Sequence, residues 1–209
     1  MGAMRPRLTP RRIADDVFEI ATASPGAAQA LSRQLRTEGL AEDVVPGLAS
    51  VAVRFDPAIA AEIEAWLMEQ AEPDEIDTDP GAIIEIGVAY GGDHGPDFES
   101  VCQQLGLSGD GLIAMHTERI HTVEMMGFTP GFSYISGLPE GLNIPRLQDP
   151  RPRVAAGSVG LSARFTGLYA LAGPGGWPLI GHTPEQLFSP ERADPFLLEP
   201  GVRIRFRSL

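Results

Sequence analysis

Along the first third of the chain apolar positions recur with two periods, one of two residues and one of three to four. Val17-Phe18-Glu19-Ile20 alternates as a half-buried strand does. Ser24-Pro25 then supplies a helix N-cap and a first-turn proline, ahead of Ala27, Ala30, Leu31 and Leu35 at helical spacing, and Gly39 sits where a C-cap belongs. Val51, Val53 and Phe55 alternate again. Asp56-Pro57 repeats the cap-and-proline signal before Ile59, Ile63, Trp66 and Leu67, which line one face of a second helix. The pattern predicts two β-α units.

The stretch from Glu72 to Gly81 is acidic, carries prolines at 73 and 80, and reads as a solvated linker or exposed loop. Ala82 to Tyr90 predicts a strand, Asp97 to Leu105 a short helix ended by Gly106, and Ser108 caps a further helix holding Leu112 and Ile113. From Thr122 onward short apolar segments are separated by Gly and Pro, the signature of a barrel or sandwich. At the end, Val202, Ile204 and Phe206 alternate with arginines, which predicts a strand with one wet face.

Charge and composition narrow the function. A net charge of -12 opposes phosphate neutralisation, so nucleic acid is not an expected partner. No apolar run is long enough to span a bilayer and no signal peptide is evident, which makes the cytoplasm the expected location and a membrane partner unexpected. Met1-Gly2-Ala3-Met4 resembles a cloning scar. The single Cys102 falls on the apolar face of the helix with Phe98, Val101 and Leu105 and reads as core. The chain has no lysine, so it offers neither a P-loop nor a Schiff base, and it cannot itself carry lysine-linked biotin. Its four histidines, His94, His116, His121 and His182, show no zinc-site spacing, and no metal is expected.

The densest local pattern is Gly127-Phe128-Thr129-Pro130-Gly131-Phe132-Ser133-Tyr134, echoed by Gly157-Ser158-Val159-Gly160, Thr166-Gly167 and Pro174-Gly175-Gly176-Trp177. Glycine permits close backbone approach and aromatics give flat walls, which suits a pocket; tight barrel corners use the same residues, and the two readings are compatible. With Ile180-Gly181-His182-Thr183-Pro184 downstream and Tyr90-Gly91-Gly92, Gly95-Pro96-Asp97 and His116-Thr117 upstream, the series resembles the 5-oxoprolinase B-subunit family, also called KipI or allophanate hydrolase subunit 1. The resemblance covers the chain from about Val17 to its end. It implies an α+β protein: a small α/β, ferredoxin-like domain over residues 5–81 and a cyclophilin-like β-barrel over 82–209.

The resemblance implies one component of an ATP-dependent hydrolase of the 5-oxoprolinase or allophanate hydrolase type, inactive alone, acting on 5-oxoproline or a related amide. Its partners would be a homologous second subunit (the 5-oxoprolinase C-subunit or allophanate hydrolase subunit 2) and, in 5-oxoprolinase, a third, with ATP used by the complex rather than through a P-loop here. One branch of the family resembles an inhibitor of a sensor histidine kinase, and the same domains resemble the carboxyltransferase half of urea carboxylase. An orphan barrel binding a small peptide or metabolite is a further alternative.

Candidate catalytic residues are His116, which would orient substrate or move a proton or else cap a helix end, and Ser158. A nucleophile elbow is excluded because position 156 is Ala, so Ser158 reads as part of a turn whose amides at Gly157, Val159 and Gly160 would meet an oxyanion. Candidate substrate-binding residues are Phe128, Pro130, Gly131, Phe132, Tyr134, Arg146, Gly157, Val159, Gly160, Arg164, Thr166, Gly175, Gly176, Trp177 and His182. Arg146, Arg151, Arg153 and Arg164 would hold a carboxylate or merely solvate a rim. The family pattern has Asn-Gln where Arg164-Phe165 stand, a proline at Ala155 and an arginine at His182. These exchanges predict a pocket that favours an anionic ligand, and Phe128, Phe132, Tyr134 and Trp177 are expected to leave an exposed aromatic patch for a partner.

Overall fold

The computed structural model of the protein describes residues 7–73 and 83–209. The expected cloning scar, and residues 74–81 of the expected acidic linker, lie outside the described residues. The chain divides into two compact units at Asp77 and Thr78.

The first unit runs β1 (Pro10–Ala14), β2 (Val17–Ala21), α1 (Pro25–Glu38), β3 (Asp43–Pro46), β4 (Ser50–Arg54), a 3-10 turn (Pro57–Ile59) and α2 (Ala60–Glu69). Its capping matches the sequence signals: the Ser24 side chain accepts from the Ala27 N–H, and Gly39 ends α1 at φ 70°, in the left-handed region that suits glycine. The four strands form one antiparallel sheet in the order β1-β2-β4-β3. Placing β4 between β2 and β3 is the split arrangement of a ferredoxin-like βαββα unit, but the fourth strand is β1, from before the unit rather than after α2. Strands β1 and β3 have no counterpart in the sequence reading. Phe18, Ile20, Val51 and Val53 pack with Leu31 and Leu35 of α1 and Ile63 and Leu67 of α2, and Phe18 stacks on Phe55 at 4.7 Å between ring centroids.

In the second unit the chain continues through β5 (Ile84–Tyr90), α3 (Phe98–Leu105), α4 (Gly109–Thr117), β6 (His121–Met126), β7 (Ser133–Ser136), β8 (Arg151–Val154), β9 (Ser158–Ser162), β10 (Phe165–Leu168), β11 (Gly173–Gly175), β12 (Leu179–His182) and β13 (Arg203–Ser208). Seven strands close a barrel in the order β10-β7-β6-β13-β5-β12-β9, while β8 and β11 pair as a separate ribbon. Closure removes the sheet edges that would otherwise invite pairing with another chain. All pairings in the barrel are antiparallel except β5 with β13.

Alternation then fixes which side chains face where. Ile86, Val88, Val123, Ile135, Val159, Leu161, Leu168, Ile204 and Phe206 fill the interior with Val101 and Cys102 of α3. Gly160, Gly167 and Tyr134 share a register row, Gly160 opposite Gly167 and Gly167 opposite Tyr134, and occupy the alternate positions on the barrel's outer face. That row is the floor of the site.

Candidate functional site

The outer row at Gly160 and Gly167 carries two large rings. A Cβ at Gly167 would stand 2.7 Å from the Trp177 ring and 2.8 Å from the tip of Phe132, and the Cβ of Trp177 lies over Gly160. Gly175 does the same for a third ring, since a Cβ there would meet the Tyr169 hydroxyl at 2.5 Å. Close ring approach, rather than turn flexibility, is therefore what these glycines supply. Phe132 is the hub. It meets Tyr134 (4.9 Å), Tyr169 (4.9 Å), Trp177 (5.5 Å) and Phe128 (5.7 Å), each edge to face. Such pairs contribute about 0.5–1.5 kcal/mol each beyond the area they bury.

These rings wall a hollow of about 70 Å³ lined by Phe128, Phe132, Tyr134, Arg146, Tyr169, Gly175, Gly176 and Trp177. The structure thus gathers seven expected residues in one place and adds Tyr169. The expected aromatic patch is corrected: Phe132 and Trp177 are buried, Tyr134 is half-buried, and Phe128 alone among the four stands open, 62% exposed. Its φ of 71° is unusual for a bulky residue. Phe128 also borders a second, open groove of about 510 Å³, with Met126, Pro130, Gly131, Phe196, Glu199 and Pro200.

One side of the hollow is cationic. Arg146 has neither an ion pair nor a hydrogen bond among the described residues. Arg151 is held in place: its Nη2 donates to Asp97 Oδ1 at 2.7 Å, and Asp97 Oδ2 accepts from the Leu179 N–H at 2.6 Å. Its Nη1 is buried with no partner. Burial raises the Tyr169 pKa, opposed by the Trp177 backbone N–H and by the positive charges of Arg146 and Arg151.

Behind the floor lies His116, at the end of α4 and fully buried. Its Nδ1 is 2.6 Å from the Tyr90 hydroxyl and its Nε2 3.0 Å from Thr166 Oγ1. Thr166 donates its own proton to the Gly160 carbonyl at 3.3 Å, so it accepts from His116, which fixes the Nε2–H tautomer and makes Tyr90 the donor to Nδ1. The ring stacks on Phe206 at 4.3 Å. Burial, with a smaller contribution from the neighbouring His121, pushes its pKa down to about 3, so the ring is neutral at pH 7. Both nitrogens are committed inside the barrel. The expected proton shuttle is thereby corrected: His116 is a buried residue beneath the floor of the hollow, its ring held by Tyr90 and Thr166. His121 continues the buried network, its ring nitrogens facing the carbonyls of His116 and Ser136.

Other expected site residues lie apart. The Gly157 N–H donates to the Tyr169 carbonyl and the Ser158 N–H to the Ala155 carbonyl, so these two amides are not open to an oxyanion, while Val159 and Gly160 lie within β9 rather than in a turn. Ser158 is buried, and Val159 points into the barrel core. Thr166 belongs to the His116 network. Arg164 is exposed with its guanidinium 5.1 Å from the Phe165 ring centroid, and His182 bonds the Ala156 carbonyl; neither lines the hollow. Sequence reasoning missed Tyr169, Tyr90 and Asp97 as site residues. Asp97 heads α3 without capping it through its side chain. Among the described residues, no group of three or more His, Cys, Asp or Glu is placed to hold a metal, and no helix is long and apolar enough to cross a membrane.

Comparison with known proteins agrees with this architecture. The family described as carboxyltransferase domain, subdomain C and D, matches residues 15–198. The chain is 42% identical over 166 residues to the 5-oxoprolinase B-subunit of Escherichia coli O157:H7, covering 78% of this chain and 76% of that one. It is 39% identical over 178 residues to the 5-oxoprolinase B-subunit of Haemophilus influenzae, covering 85% and 84%. Among solved structures it resembles TTHA0988, with a TM-score of 0.78 and 31% identity, matching 93% of this chain but only 40% of that one. A urea amidolyase from K. lactis, 15% identical with a TM-score of 0.73, shares the fold over 100% of this chain and 15% of its own.

Proposed function

We propose, from the premise that this chain belongs to the carboxyltransferase-domain family of subdomains C and D and to the 5-oxoprolinase B-subunit group within it, that it is one component of an ATP-dependent amide-hydrolysing complex. Its substrate would be 5-oxoproline or a related amide, and it would work with a homologous second subunit. The observation that carries the reading is the hollow on the barrel's outer face, four of whose five aromatic walls, Phe128, Phe132, Tyr134 and Trp177, come from the segments that carry the resemblance. A small, flat, cyclic amide suits edge-to-face aromatic walls beside a few polar groups.

Among the described residues, neither the hollow nor the open groove fits a nucleoside triphosphate. The hollow of about 70 Å³ admits a few water-sized groups at roughly 10–15 Å³ each, the larger groove is apolar and bears Glu199, and the chain has no lysine. ATP chemistry is assigned to the partner subunits. This chain holds and orients the amide: Trp177 and Phe132 exclude water, and His116, through Thr166, fixes the Gly160 carbonyl under the Trp177 side chain. Co-expression with the second-subunit homologue and the third subunit tests the reading. A stable hetero-complex should form, and Trp177→Ala within it should lower ATP-dependent 5-oxoproline hydrolysis at least about tenfold, as expected when a pocket wall is lost. A full complex that forms but never releases glutamate would refute 5-oxoproline as the substrate, and failure of any complex to form would refute the reading itself.

The exposed Phe128 favours a second reading, a regulator that docks on a sensor kinase. Such a protein would bind an isolated kinase dimerisation domain through the Phe128 groove and would ignore 5-oxoproline.

A further inference from the structure

We propose that the hollow is an oxyanion site, in which Arg146 and the Tyr169 hydroxyl grip the carboxylate of a small cyclic ligand while its apolar body lies against Trp177 and Phe132. The oxyanion site deepens the reading above and rests on it for the choice of ligand.

Three observations carry it. Arg146 lines the hollow and meets no carboxylate among the described residues, although the chain has 28 acidic residues against 16 arginines. A guanidinium spared from pairing at the mouth of an aromatic hollow is free to take a planar oxyanion through two parallel N–H bonds. Next, Tyr169 lines the same hollow as Arg146, its ring packed edge to face on Phe132 and its hydroxyl beside Gly175, so a phenolic donor stands in the wall that the guanidinium shares. Finally, Arg151 is locked by Asp97, itself locked by the Leu179 N–H, while its Nη1 is buried without a partner. A buried, unsatisfied charged donor costs several times a normal hydrogen bond, and it adds fixed positive potential beside Tyr169. The specificity assigned to Arg164 and His182 on sequence grounds thus moves to Arg146 and Tyr169, which line the hollow, with Arg151 behind them as a fixed positive charge.

Trp177 reports binding directly. In the full chain with Trp66→Phe, so that Trp177 is the only indole, emission is titrated with 5-oxoproline, with neutral 2-pyrrolidone, and with inorganic phosphate as competitor. Saturable quenching by 5-oxoproline is expected, with 2-pyrrolidone at least about tenfold weaker, since a charge-assisted bond is lost. Arg146→Gln should weaken 5-oxoproline by a similar factor and leave 2-pyrrolidone unchanged. Tyr169→Phe should weaken it several-fold, and Arg153→Gln, an exposed arginine outside the hollow, should change nothing. Displacement by phosphate, abolished in Arg146→Gln, would identify a phosphoryl group as an alternative source of the same oxyanion. Equal binding of the two lactams, an unchanged Arg146→Gln, or no saturable signal with any anion would overturn the proposal. Hydrolysis by the complex is measured separately. Activity lost in Trp177→Ala while binding is charge-independent would sink the oxyanion site and leave the hydrolase-component reading standing.

Discussion

His116 Nε2 lies 3.0 Å from Thr166 Oγ1, and the direction of that hydrogen bond is set by what Thr166 does next, donating to the Gly160 carbonyl. A buried histidine in the barrel core and the glycine beneath Trp177 are therefore parts of one chain of donors that begins at Tyr90. The two positions are 44 residues apart in sequence. Only barrel closure makes them neighbours.

This histidine makes stability depend on pH. Its folded pKa, near 3, is below the unfolded value near 6.5, so between those limits the unfolded chain binds more protons than the folded one. The neutral ring's contribution is complete above about pH 6.5 and is lost as pH falls toward 3, with a slope of up to about 1.4 kcal/mol per pH unit. His116→Phe keeps the stack on Phe206 and removes the titration. Urea unfolding at several pH values should show the wild-type and variant curves converging as pH falls through that window. Parallel curves would mean that His116 is not held neutral.

Gly167→Ala tests the floor. The added methyl would stand within 2.8 Å of both the Trp177 and Phe132 rings, and overpacking of this kind costs about 1–3 kcal/mol. The variant should melt lower and Trp177 emission should shift to the red as the ring is displaced. An unchanged spectrum would show that Trp177 seats elsewhere.

Phe128 separates stability from binding. At φ 71° a bulky residue carries strain of about 1–3 kcal/mol, and its ring is largely exposed. Phe128→Gly should therefore leave the isolated chain equally or more stable in thermal unfolding. In light scattering with the second-subunit homologue the same change should weaken the complex at least about tenfold, as for an anchor residue. A destabilised monomer with undiminished association would reverse the assignment.

Much of this was legible along the chain because it was local. Ser24, Gly39, Gly106 and Ser108 end or begin their helices as their residue types dictate. The lining of the hollow was also within reach, since Phe128, Phe132, Tyr134 and Trp177 stand beside the glycines that seat them. Strands β1 and β3 were not, because Pro10–Ala14 and Asp43–Pro46 are short edge strands held by pairing rather than by an apolar period. Tyr169 follows a buried strand and looks like core, and nothing local tells that its hydroxyl meets Gly175 from another segment. His116 was misread because residue type signals proton transfer while burial decides the protonation state. Arg164 and His182 failed for a related reason: departure from a family pattern marks a difference but gives no direction for the side chain.

Glutamate release is the most direct measurement of the proposed hydrolysis. The chain is incubated with ATP and 5-oxoproline alone, then with the second-subunit homologue, then with the third subunit added. The prediction is no glutamate above a heat-killed control from the chain alone and steady, ATP-dependent release from the assembled complex. Steady release by the isolated chain would show that a complete active site lies within it, and silence of the full assembly would show that 5-oxoproline hydrolysis is not its reaction.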